Sequence, residues 1–208
     1  MRMDDKQMFS DFKDQINRLF QEHDIRKISE EIIRFELYKL LKQSGYNDSD
    51  IKIEDTIKEI NISNIDLTAA NKLFEIKFQR KSEIREHNSP KTLNYGEILA
   101  DLFKLSSLSK YKNYQGYVIY IFDSEMETYY AHSYTSGKKK NNDPVGIISS
   151  SERNITIDPI KINELPKTIQ NAIKQKKYNE STKESFYVEI ILNEKLHNEM
   201  HLIIYEIK

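Results

Sequence analysis

The stretch that most constrains this chain is Leu73-Phe74-Glu75-Ile76-Lys77-Phe78, a strict alternation of six residues. A period of two is the signature of a β-strand, whose successive side chains point to opposite sides. Phe74, Ile76 and Phe78 therefore share one face, and Leu73, Glu75 and Lys77 share the other. The apolar triplet has to pack into a core, so the strand belongs to a sheet with at least one covered face. The residues before it, from Asn64 on, form the first arm of a hairpin. This arm is expected to end near Asp66, with the turn around Ala69-Ala70-Asn71-Lys72. Closure of the hairpin brings Asp66 opposite the Glu75–Lys77 pair.

Two carboxylates held close repel each other unless a cation lies between them. Oxygen-only ligands suit a hard ion such as Mg²⁺, or Mn²⁺ in its place. A lysine beside such an ion can stabilise developing negative charge or orient a water. Asp66, Glu75 and Lys77 together therefore form a kit for phosphodiester hydrolysis.

The rest of the chain supplies a frame for that hairpin. Met8, Phe12, Ile16, Leu19 and Phe20 recur at helical spacing and predict a first helix over residues 4–21. Ser29 is an N-cap candidate for a second helix that ends at Gly45, with Glu30 and Glu31 in its first turn. Its buried stripe is Ile33, Leu37, Leu40 and Leu41. Residues 51–55 alternate and predict a strand. The polar run 79–91, closed by Pro90, reads as a loop. A helix is expected over 93–109, on a stripe of Ile98, Leu102, Leu105 and Leu108. Gly116 to Asp123 is almost continuously apolar and predicts a buried central strand, completing a strand–helix–strand crossover.

Further on, Glu127 to His132 reads as a strand carrying Tyr129 and Tyr130, and residues 135–154 as a loop with a lysine cluster at Lys138, Lys139 and Lys140. A helix is expected over 165–177, then a β-hairpin of 186–192 and 200–207. His197 and His201 have the spacing of a zinc pair, but their flanks are strand and loop rather than one helical face, so a zinc-protease reading is rejected.

The order helix, strand, Asp strand, Glu-x-Lys strand, helix, strand over residues 29–123 resembles the PD-(D/E)XK nuclease superfamily, the restriction-endonuclease-like fold. On this resemblance Asp66 takes the place of the motif's Asp, Glu75 the (D/E) and Lys77 the K. Ile65 stands where the name-giving Pro would be. The resemblance implies an α/β (α+β) fold with a central mixed β-sheet flanked by helices, here with a C-terminal β-hairpin. It implies one domain over 1–208: an N-terminal helical extension (1–28), a core (29–133) and a C-terminal elaboration (134–208). It also implies a Mg²⁺ or Mn²⁺ site made by Asp66, Glu75, the Ile76 backbone carbonyl and a glutamate of the first core helix. Glu36 is favoured for that glutamate and Glu30 is second. Gln79, Arg80 and Lys81 follow the motif strand directly and are placed to hold phosphates. Lys104, on the helix that borders the site, is a further phosphate contact.

Composition narrows the partners. The formal net charge is −1, so no global positive field draws in nucleic acid, and contact with DNA must rest on local basic patches. Cysteine is absent, which removes disulfides, thiolate metal sites and cysteine nucleophiles. No apolar run has transmembrane length and no signal-peptide pattern opens the chain, so a cytoplasmic protein that does not engage membranes is expected. No Gly-rich phosphate loop is present. The function expected is a Mg²⁺-dependent endonuclease acting on DNA, in restriction or phage defence, as a homodimer or beside a helicase or specificity subunit. Two alternatives stand: a non-catalytic nucleic-acid-binding or assembly subunit that keeps the nuclease-like fold, and an RNase-type effector.

Overall fold

The computed structural model describes residues 3–57, 62–79, 91–131, 133–135, 138–140, 143–148, 152–175 and 184–208. The alternating stretch lies at the heart of the molecule. It forms β3 (Lys72–Gln79), paired on one side with the antiparallel strand β2 (Ile62–Ala69) and on the other with the parallel strand β4 (Gln115–Asp123). Strand β1 (Ile51–Ile57) continues the sheet beyond β2, again antiparallel. The hairpin turn lies at Ala70–Asn71, so β2 runs three residues past Asp66 before it reverses.

Both faces of β3 are covered. Phe74, Ile76 and Phe78 pack beneath α1 (Asp5–Glu22) and α2 (Glu30–Gln43). Phe74 stacks on Tyr117 at 5.4 Å between ring centroids, and Phe78 on Phe20 at 5.9 Å. Helix α2 starts as expected: the Ser29 hydroxyl accepts the Ile32 N–H, and the chain leaves the helix at Gly45 with φ of 91°. The opposite face carries α3 (Lys91–Lys112), which connects β3 to β4. Its Ile98, Leu99, Leu102 and Leu105 join a second core with Leu73, Val118 and Tyr120. Strand β4 is buried along nearly its whole length, as its apolar run requires.

Two expectations are corrected beyond β4. Glu127 to His132 does not form a strand: Ser124–Ala131 is helix α4, and His132 lies outside the described residues. The Asp123 carboxylate accepts the Met126 N–H at 3.0 Å and starts the helix, with Glu125 and Glu127 in the first turn. Met126 and Tyr130, four residues apart, share the buried side. Lys138–Lys140 is not part of a structureless loop; it forms β6, paired with β5 (Ser133–Thr135) in a separate two-stranded sheet. The C-terminal hairpin forms as expected. Its strands β8 (Phe186–Lys195) and β9 (Met200–Ile207) extend the main sheet, with β9 antiparallel to β4.

Strand β7 (Asn154–Ile157), unanticipated, adds the last edge, giving the order β1-β2-β3-β4-β9-β8-β7. A short helix α5 (Pro159–Ile162) precedes α6 (Lys167–Gln175), which packs on α3. The result is an α/β molecule, a seven-stranded mixed sheet between helical layers, whose cores run across the 133/134 boundary. Among the described residues no helix is long and apolar enough to cross a membrane.

Candidate functional site

The charged side of β3 faces α3 instead of water. Glu75 is only 2% exposed, and α3 presents Asp101 (1%) and Lys104 (3%) to it. The pairing is crosswise. Lys104 Nζ lies against Glu75 Oε1, and Lys77 Nζ is 3.6 Å from Asp101 Oδ2. Lys104 Nζ also donates to the Asn64 carbonyl at 3.0 Å and lies 4.0 Å from Asp101 Oδ1. Asn64 has φ of 62°, a left-handed conformation that asparagine tolerates better than most residues.

Strand β2 contributes Asp66 at a change in its pairing. The ladder with β3 runs from Ala69↔Lys72 to Leu67↔Phe74. One step further, the Asp66 side chain takes over: its Oδ2 accepts the Ile76 N–H at 2.7 Å. Its Oδ1 accepts from Arg34 Nη2 at 3.1 Å. Helix α2 contributes Arg34 and, four residues earlier on the same face, Glu30. Glu30 Oε2 accepts the Phe78 N–H at 3.1 Å. Two backbone donors of β3 are thus satisfied by carboxylates from β2 and α2.

These contacts decide between the two helix glutamates. Glu30 joins the cluster; Glu36 does not. Six residues on, Glu36 lies on another side of α2, where it accepts from Gln15 of α1 and pairs with Lys39 Nζ at 2.7 Å. Two expected phosphate contacts also lie elsewhere than on the surface. Gln79 is 4% exposed and accepts the Tyr120 hydroxyl, and Lys104 is committed to Glu75 and Asn64. Arg80 and Lys81 lie outside the described residues. His197 sits in a one-turn helix and His201 on β9, stacked on Phe122, so the two share no helical face.

The electrostatics follow from four acids facing three cations. Burial pushes the Glu75 carboxyl well above the usual range; Asp101 and Asp66 push it further, and Lys104 draws it back. Burial also raises Glu30, with Lys77 opposing. For Lys77 burial works against the charge, but Asp101, Glu30, Asp66 and Glu75 outweigh it and hold the ammonium protonated. Among the described residues no donor lies within hydrogen-bond distance of either Asp101 oxygen, and the Lys77 and Lys104 ammonium groups flank it at 3.6 and 4.0 Å.

A hard divalent cation fits this donor set in kind. The side-chain donors on offer are oxygens, and the acids outnumber the cations. Among the described residues no three His, Cys, Asp or Glu side chains enclose an ion by themselves. Mg²⁺ does not require that: it takes one or two carboxylates and completes its shell with water and phosphate.

The sequence does not single out Arg34, and it places Asp101 near Lys104 on the face shared with Glu97 without giving it a role at the site. The signal existed in the spacings Glu30/Arg34 and Asp101/Lys104, each a charge pair on one helix face. What the spacing alone could not tell was which face met the sheet. In comparisons with known proteins, no family model, no curated protein and no solved structure matches the chain.

Proposed function

We propose that this protein is a metal-dependent nuclease that hydrolyses phosphodiester bonds, with DNA as its first candidate substrate, built on a PD-(D/E)XK-like plan. The supporting observation is the meeting of Asp66, Glu75, Lys77 and Glu30, carried by three separate elements, around β3. The element order α2, β1, β2, β3, α3, β4, with β4 parallel to β3, is the frame that the resemblance implies.

Asp66 and Glu75, with the Ile76 carbonyl, would hold Mg²⁺ or Mn²⁺. Bound there, the ion supplies a water of lowered pKa and neutralises phosphate charge. Lys77 is a cation here, surrounded by acids that keep its proton on. Its role is therefore to donate to, and stabilise, the charge that grows on the phosphate, not to remove a proton from water. Asp101 orients that ammonium from α3, and Arg34 fixes the Asp66 carboxylate from α2.

The test is cleavage of DNA and RNA by the purified protein with Mg²⁺ or Mn²⁺, alongside Asp66→Asn, Glu75→Gln and Lys77→Met. Each variant is expected to lose cleavage by a factor of about 10² or more. Activity that survives all three substitutions overturns the reading. A specific observation favours a second reading, a binding subunit without catalysis: Asp66 and Glu75 are each already paired to a resident cation. Mn²⁺ separates the two. A nuclease centre gains thermal stability from the ion and loses that gain in Asp66→Asn; a binding subunit shows no such shift.

A further inference from the structure

We propose that Lys104 is a built-in counter-cation that competes with the divalent ion for Glu75 and so sets how tightly this site takes metal. The inference rests on the nuclease reading above. Its basis is the position of one ammonium group. Lys104 is 3% exposed, a burial that lysine accepts only when its charge is compensated. Oxygen surrounds Nζ: Glu75 Oε1, the Asn64 carbonyl at 3.0 Å, and Asp101 Oδ1 at 4.0 Å. The site for it is constructed from three elements. Asn64 adopts φ of 62° on β2 where its carbonyl accepts from Nζ, Glu75 comes from β3, and Asp101 lies one helical turn before Lys104 on α3.

A carbonyl and two carboxylates around a cation form a hard-ligand environment, the same chemistry that a divalent ion demands. The two cations cannot share Glu75 Oε1 without strong repulsion, which a buried site does not screen. An ion that takes Oε1 therefore separates Lys104 from Glu75, and one that takes Oε2 binds against the charge of the ammonium held on Oε1. Two consequences follow from linkage. The metal-free protein is stabilised by Lys104, because Glu75 would otherwise be buried without its paired cation. Metal affinity is lowered by the same contact, because the ion has to displace it or bind against its charge. Lys77, paired with Asp101, is not in this position, since its neighbour oxygen belongs to α3 and not to a proposed ligand.

The experiment compares Mn²⁺ binding by isothermal titration calorimetry, and thermal unfolding with and without Mn²⁺, in the full chain and in Lys104→Met, Lys104→Gln and Asp66→Asn. The expected result is a metal-free Lys104→Met protein that melts lower than the wild type, binds Mn²⁺ at least tenfold tighter and gains more stability from it. Lys104→Gln, which keeps a donor for the Asn64 carbonyl but no charge, is expected to follow Lys104→Met. Equal or weaker Mn²⁺ affinity in both variants overturns the proposal. If neither folds without metal, recovery of folded protein by Mn²⁺ during refolding supports it and failure to recover overturns it. The two readings fail separately. Wild type that binds Mn²⁺, loses it in Asp66→Asn and shows no gain in Lys104→Met sinks the counter-cation alone; absence of Mn²⁺ binding in wild type and every Lys104 variant sinks the metal centre itself.

Discussion

Arg34 shows how much of this site is held by residues that carry no motif. Its guanidinium bridges Asp66 and Glu54, with Nη1 3.1 Å from Glu54 Oε1 and Nη2 3.1 Å from Asp66 Oδ1. The Glu54 end is largely open to solvent and contributes little. The Asp66 end is mostly enclosed, so removal of Arg34 leaves a carboxylate stranded beside Glu75 and Glu30. Arg34→Met is expected to cost roughly 2–4 kcal/mol, below the full penalty for breaking a wholly buried pair. Urea unfolding without metal measures it, and an unchanged midpoint contradicts the assignment. At this scale the strand residues were legible and the helix residues were not. Asp66, Glu75 and Lys77 could be placed because a period of two leaves only two faces to choose from. The sequence favours Glu36 over Glu30, whereas it is Glu30 that meets β3, because a helix can be rotated about its axis and only packing against β3 chooses the phase. Gln79 is a phosphate-contact candidate because it follows the motif strand, and Lys104 because its helix borders the site; neither position tells whether the side chain is buried, and here a partner for each permits burial.

Among the elements, α3 bears the heaviest constraint, since it covers one face of the sheet and carries both Asp101 and Lys104. Its seat depends on Gly96. A Cβ built there would come within 2.6 Å of Ala172 Cβ and 3.0 Å of the Ile169 carbonyl, both on α6. Gly96→Ala is expected to push the two helices apart and cost about 1–3 kcal/mol, against the usual helix preference for alanine. Because Ala172 is the nearest obstacle, Ala172→Gly should be less harmful in the Gly96→Ala background than alone. A double-mutant cycle by urea unfolding reads this coupling, and strict additivity refutes the contact. The same comparison explains which elements the sequence revealed. Helices α1, α2 and α3 and strands β3, β8 and β9 have long, clean periods, and β4 has a continuous apolar run. Helix α4 has eight residues, and its Tyr129-Tyr130 pair suits a strand by propensity. The Asp123 cap and the burial of Met126 and Tyr130 on one side override that preference. Strand β7 has four residues and exists because the edge of β8 was open to it.

For the molecule as a whole, the tyrosines report whether sheet and both helical layers unfold together. The chain has 13 tyrosines. Tyr95, Tyr120, Tyr130 and Tyr205 are enclosed in the core beneath α3, and Tyr117 lies in the core beneath α1 and α2. Burial comes first in raising the pKa of each, and Asp143 adds to the effect on Tyr95 and Tyr205. Their hydroxyls also serve as donors: Tyr95 to Asp143 Oδ1 and Tyr205 to the Ile147 carbonyl, each at 2.7 Å. A phenolate could do neither. In the unfolded chain these groups ionise near pH 10, so above that pH the unfolded state binds fewer protons than the folded one. The stabilisation is complete below about pH 10 and is lost as pH rises further. Phenolate absorbance should accordingly rise in two stages, exposed tyrosines first and these five later, in one step with the loss of ellipticity. A single smooth titration with the fold retained would show that the interior is open to water. Two separate late steps would show that the layers on either side of the sheet come apart independently. The single late step is expected because β4 and β9 are the floor of both cores: Tyr117 and Ile204 face one, Val118 and Tyr205 the other, and neither core can lose its floor while the other remains intact.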